Sequence, residues 1–169
     1  MTSDEIRAIQ APIKAKYREH PEAALTTHSA EGTLADNITC VVHTRDYTVV
    51  AGLHPSAGGT GKHICSGDML MESLAACAGV TMNSVATAMS IILKKAVVTA
   101  EGVVDFRGTL GVSKEVPVGF KSVHLHFALD TDATEEQVAK LIQLTERYCV
   151  VFQTLSNKPE ITVSNSKAS

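Results

Sequence analysis

The stretch SLAACAGVTMNSVATAM, Ser73 to Met89, consists almost entirely of small and apolar residues. A soluble chain holds such a run only by burying it. Its alanines and lack of proline favour a helix. The preceding SGDMLME extends that helix back to Gly67, with Ser66 as N-cap and Asp68 in the first turn, and the pattern continues to about Leu93. A helix this long, apolar over most of its circumference, needs cover on several sides, so the rest of the chain must wrap it. It is also the one membrane candidate. Asp68, Glu72, Asn83 and several Ser and Thr interrupt its apolar run, which favours a buried core helix and no membrane.

The chain has 169 residues, 44% of them hydrophobic, enough for one well-buried core and short for two. A net charge of -3 without a basic block excludes an electrostatic nucleic-acid binder, and no acidic tail marks an interaction arm. Tryptophan is absent, so Leu, Ile, Val, Ala and Met must fill the core by close packing. The first residues carry acids where an export signal needs a basic start and an apolar run, so a cytoplasmic protein is expected.

Ser3 or Asp4 can cap a first helix, in which Pro12 predicts a kink or a division and Pro21 an end. Residues 1–24 thus read as a helical extension, and residues 25–169 as a single domain. Leu25 to Leu53 alternates β-branched runs with turn signals at Gly32, Asp36-Asn37 and Arg45-Asp46, as in a meander of hairpins. The Gly-rich loop HPSAGGTGKHICSGD has neither GKS/GKT at the helix start nor GxGxxG, which argues against a nucleotide. After the long helix, KKAVVTAEGVVDFRGTLG and FKSVHLHFAL read as two strands, joined by the turn-rich GVSKEVPVG.

A second helix follows, with Asp132-x-x-Glu135 or Thr134-x-x-Gln137 as capping box. Val138, Leu141, Ile142, Thr145, Tyr148 and Cys149 form its inward stripe, and PEITVS reads as a final short strand. Separated β and α segments specify an α+β fold.

Four cysteines, Cys40, Cys65, Cys77 and Cys149, show no CxxC pair and no zinc spacing. Cys77 and Cys149 both fall on apolar helix faces, where thiols are commonly inert packing. Reactivity requires a thiolate, and apolar burial opposes it. The helix dipole fades within the first turn, well before Cys77, so a cation is expected from elsewhere. Arg18, Arg45, Arg107 and Arg147 are the candidates, and the sequence does not choose among them. Cys65, just before the long helix, is a further thiol in a plausible reactive place. His124 and His126 share one strand face without a third ligand nearby, so they read as a solvated face; no metal and no cofactor are expected.

SGDMLMESLAACAGVTM, VVDFRGTLG with VPVGFKSVHLHF, and LTERYCVVFQTL, in this order and spacing, resemble the OsmC/Ohr family from about Leu25 to Val163. The resemblance implies an intertwined homodimer, with curved antiparallel sheets around long central helices and active sites at the subunit interface. It implies a peroxiredoxin-like antioxidant enzyme that reduces organic hydroperoxides. Cys77 would attack the peroxide, Cys149 would resolve the sulfenic acid, and a dithiol reductant would restore the pair. Peroxidase members place a glutamate ten positions before the reactive cysteine to hold an activating arginine. Here that position is Gly67, with Asp68 next in line and Arg45 as the arginine to pair with it. This departure sustains an alternative, a non-catalytic dimer that binds a small apolar ligand or senses thiol redox state.

Overall fold

A computed structural model describes residues 1–167. The fold is α+β, with two sheets and five helices. Helix α1, Ser3–Glu19, is capped by Thr2 rather than by Ser3 or Asp4, and a Thr2/Glu5 capping box closes its first turn. Pro12 does not divide the helix, which runs through it unbroken. The helix is exposed, so the Ala8 carbonyl that loses its amide partner can turn to water. Ser3 Oγ and Arg7 Nη2 each donate to the Ala88 carbonyl at 3.4 Å, tying α1 to the end of the long helix.

The meander appears as expected: β1 (Glu31–Ala35), β2 (Thr39–His43) and β3 (Thr48–Gly52) pair antiparallel in sequence order. The Gly-rich loop then crosses over to β4 (Ile64–Cys65), which pairs parallel with β3. Inside the loop, Gly58 and Gly61 take left-handed conformations. The loop is tied down where His54 stacks on Phe106, ring centroids 4.8 Å apart.

Helix α2, Ser66–Ala88, begins one residue earlier than the sequence indicates, with Cys65 at the N-cap and no side-chain cap bond. It also stops short of Leu93. Ser90 turns left-handed, its amide returns to the Thr87 carbonyl and the Ile91 amide to the Ala86 carbonyl, which closes the helix as a Schellman motif. Strands β5 (Leu93–Val104) and β6 (Phe120–Thr131) form a long antiparallel hairpin, but the expected strand does not run on through RGTLG: Asp105 caps the Arg107 amide and starts the single-turn helix α3, Phe106–Thr109.

Helix α4, Glu135–Tyr148, uses the Thr134/Gln137 capping box. Leu141 and Thr145 of its stripe are fully buried, whereas Tyr148 is exposed. The chain then breaks at Cys149, whose extended backbone ends α4 and caps α5, Val150–Ser156. The expected strand over PEITVS does not form, because a short strand needs a neighbour to pair with and none meets it here.

Two apolar clusters hold α2 against the β5–β6 hairpin and α4. Met82, Ala86, Ile91 and Leu141 form one; Leu74, Ala78 and Cys149 form the other, against Val98, Ala100, Leu125 and Phe127. Packed as it is in these clusters, α2 is a core helix, although its length and composition would suit a membrane span. Sheet β1–β4 is joined to this body chiefly where β4 runs into α2 and the loop meets α3. The chain consequently exposes 12762 Å², against about 8,000 Å² for a compact monomer of its mass.

Candidate active site: two thiols across the central helix

Cys77 lies midway along α2, half-buried, on the side of the helix that meets α4 and α5. Ala78, fully buried beside it, lets the neighbouring elements come close. Cys149 is fully buried at the α4–α5 junction and packs in the same cluster. Its Sγ accepts the Phe152 amide at 3.5 Å, as an N-cap side chain does. Two helix-borne thiols distant in sequence thus face one another in an apolar setting, and all four cysteines are free.

The surroundings drive the pair apart in proton affinity. Burial pushes the Cys77 thiol up, but donation from the Val151 and Val150 amides, together with Cys149 and Thr81, outweighs it and brings the thiol below its ordinary value. Burial is also the first influence on Cys149. There the Phe152 amide only partly compensates, while Cys77 as an ionised neighbour raises it further. When the pair loses its first proton, that proton therefore leaves Cys77, the more accessible sulfur.

Among the described residues, burial, two amides, Cys149 and Thr81 set the Cys77 proton affinity, and the expected cation is not one of these influences. Arg45 sits in the β2–β3 turn, its side chain 93% exposed and 3.7 Å from Asp46. Arg107 is held by Asp105, and Arg147 lies over the Tyr148 ring. Arg18 is in the last turn of α1. Asp68, exposed at the start of α2, lines a cavity of about 540 Å³ with Met71, Glu72 and Glu101, and is not part of the thiol cluster. The structure therefore brings Cys77 and Cys149 together and leaves Arg45 and Asp68 apart from them.

Cys65 caps α2 with its backbone only, and Cys40 is half-buried in β2. His124 and His126 are exposed. The contributors that sequence reasoning missed are the Val150 and Val151 amides and Thr81. Nothing in VVFQTLS marks a helix break at Cys149, so their part was not legible. A cavity of about 600 Å³ is lined by Leu70, Leu74, Phe120, Phe152 and Leu155 with Lys121 and Ser122 at its polar part, and neither thiol lines it. Leu74 lies one turn before Cys77 on α2, and Phe152 is the residue whose amide reaches Cys149.

The model for the OsmC-like protein family matches residues 59–164, a span that holds both thiols. The chain belongs to the OsmC-like family. No curated protein matches it in sequence. Among solved structures it is similar to an OsmC-like protein from Mycoplasma pneumoniae, at 18% identity over 79% of this chain and 89% of that one, TM-score 0.68. An organic hydroperoxide resistance protein OsmC from Legionella pneumophila has 21% identity over 78% and 90%, TM-score 0.63. One from Elizabethkingia anophelis has 19% over 79% and 91%, TM-score 0.64. At these identities the likeness establishes the OsmC-like fold.

Proposed function

We propose that this OsmC-like protein is a cytoplasmic, cysteine-based peroxidase that reduces organic hydroperoxides. The observation that carries the reading is the opposed proton affinity of two adjacent thiols, lowered at accessible Cys77 and raised at buried Cys149. The Cys77 thiolate attacks the distal peroxide oxygen, the O–O bond breaks, and the alkoxide leaves as alcohol after taking a proton. Cys77 is then a sulfenic acid. Cys149 attacks its sulfur, water leaves, and a Cys77–Cys149 disulfide remains. A dithiol reductant restores both thiols by exchange and ends as a disulfide itself. The cavity lined by Leu74 and Phe152 suits the organic part of the substrate.

The active form in this reading is a homodimer. The surplus of exposed surface and the exposed α2 face of Ser73, Ala76, Val80 and Asn83 call for a second copy. Any arginine that assists Cys77, Arg45 included, would arrive from that copy, with Asp68 as its carboxylate partner in place of the residue at Gly67. Sedimentation at twice the chain mass supports the dimer, and a monomer at micromolar concentration removes it.

That no cation is among the influences on Cys77 from the described residues of one chain favours a second reading, a dimer that senses thiol redox state or binds a small apolar ligand without turnover. One experiment separates the two. Purified protein is supplied with cumene hydroperoxide and a dithiol, and wild type is compared with Cys77→Ser and Cys149→Ser. The peroxidase predicts turnover lost in Cys77→Ser and, in Cys149→Ser given the hydroperoxide without the dithiol, a trappable sulfenic acid in place of a disulfide. Equal rates in all three proteins would sink it.

A further inference from the structure

We propose that the outer face of the β5–β6 hairpin is a chelating site for a divalent transition-metal ion, nickel, copper or zinc. His124 and His126 are its nitrogen ligands, and Glu101 is its oxygen ligand. The site is separate from the thiol pair and stands whether or not that pair is a peroxidase.

The argument begins with alternation along β6. Leu125 turns inward to the cluster around Cys149. Period-two geometry then sends His124 and His126 together to the opposite, exposed face. Long pairing with β5 fixes the backbone beneath them, with Glu101 opposite His124 and Thr99 opposite His126. Glu101 shares that exposed face, because its neighbours Ala100 and Gly102 are the half-buried ones. Residues directly opposite on an antiparallel pair bring their Cβ atoms within about 5.5 Å, so the carboxylate is in reach of an ion held at His124.

The two imidazole rings stand 6.2 Å apart between centroids, with planes 20° from parallel. One ion bonded to a nitrogen of each ring at about 2.0–2.1 Å spans such a gap after a small rotation of the rings. Both side chains are exposed and free to make that rotation. Imidazole nitrogens with one carboxylate select zinc, nickel and copper over magnesium or calcium. No group of three or more ligating side chains is pre-assembled among the described residues. The site is therefore a two-histidine chelate that recruits Glu101 and water on binding, and its ion exchanges readily.

The test is titration calorimetry of untagged, reduced protein with nickel chloride and with zinc chloride. One ion per chain is expected. His124→Gln and His126→Gln, both exposed and compatible with the strand, each weaken binding at least tenfold, while His28→Gln changes nothing. A smaller loss in either site variant, no saturable binding in the wild type, or a saturating thiolate-to-nickel absorption band that places the ion on cysteine overturns the proposal. An unchanged affinity in Glu101→Gln overturns the part given to the carboxylate.

Discussion

Cys77 and Cys149 act on each other in opposite senses: Cys149 helps to lower the proton affinity of Cys77, and Cys77 raises that of Cys149. The asymmetry follows from position. Cys77 is half-buried on α2 and faces the first amides of α5, whereas Cys149 is sealed at the junction that produces those amides. Apolar burial alone would have raised both thiols.

The first expectation concerns alkylation against pH. A thiol lowered from its ordinary value near 9.0 is ionised at a lower pH, so Cys77 should react with iodoacetamide with a midpoint below that of a free thiol. Cys149 should react with a midpoint above it. Because Cys149 contributes to the lowering through a side-chain hydrogen bond, Cys149→Ala, which removes the donor, should move the Cys77 midpoint upward. Mass spectrometry of each peptide reads the rates, and a Cys77 midpoint at or above the free-thiol value would remove the nucleophile from the mechanism.

Leu141 is fully buried between α4 and the Met82–Ala86 segment of α2. Leu141→Ala should cost about 2–5 kcal/mol, seen as a lower urea midpoint with an unchanged slope. A loss below about 1 kcal/mol would mean that this contact is not part of the core in solution.

Two glycines should behave differently. A Cβ at Gly59 would lie 1.6 Å from the Leu53 carbonyl oxygen, and backbone cannot step aside. A Cβ at Gly119 meets nothing within 4 Å. Gly59→Ala should therefore destabilise by about 3 kcal/mol or more. Gly119→Ala should be neutral or slightly stabilising. Melting temperatures of the two variants check the contrast, and equal values would refute the loop geometry.

Asp105 accepts from the Arg107 side chain, Nε at 2.9 Å and Nη2 at 2.5 Å, and from the Arg107 amide at 3.1 Å. These bonds, the side-chain ones first, hold its carboxyl down at about 2, from an ordinary value of 3.8. A depressed carboxylate adds stability that is present above the ordinary value and is lost as pH falls through about 2. Carbon-detected NMR titration should find the midpoint there, and Arg107→Ala should return it towards the ordinary range. Arg107 is exposed and Asp105 only half-buried, so salt should weaken the effect. A wild-type midpoint near 4 would show that the pair does not persist in water.

Much was legible along the chain because it is written in local pattern. The small-residue run of α2, the alternation of β5 and β6, the turn signals of the meander and the Thr134/Gln137 capping box each report which side of an element meets the core. That pattern also put Cys77 and Cys149 on inward faces. Only the tertiary structure decided that α4 breaks at Cys149, that the next amides turn towards Cys77, that PEITVS finds no strand to pair with, and that Arg45 answers Asp46 instead of a thiol. The reason is physical. Periodicity records burial, which each residue carries with its own side chain, whereas the ionisation of a sulfur depends on dipoles and charges that segments distant in sequence bring within a few ångströms of it.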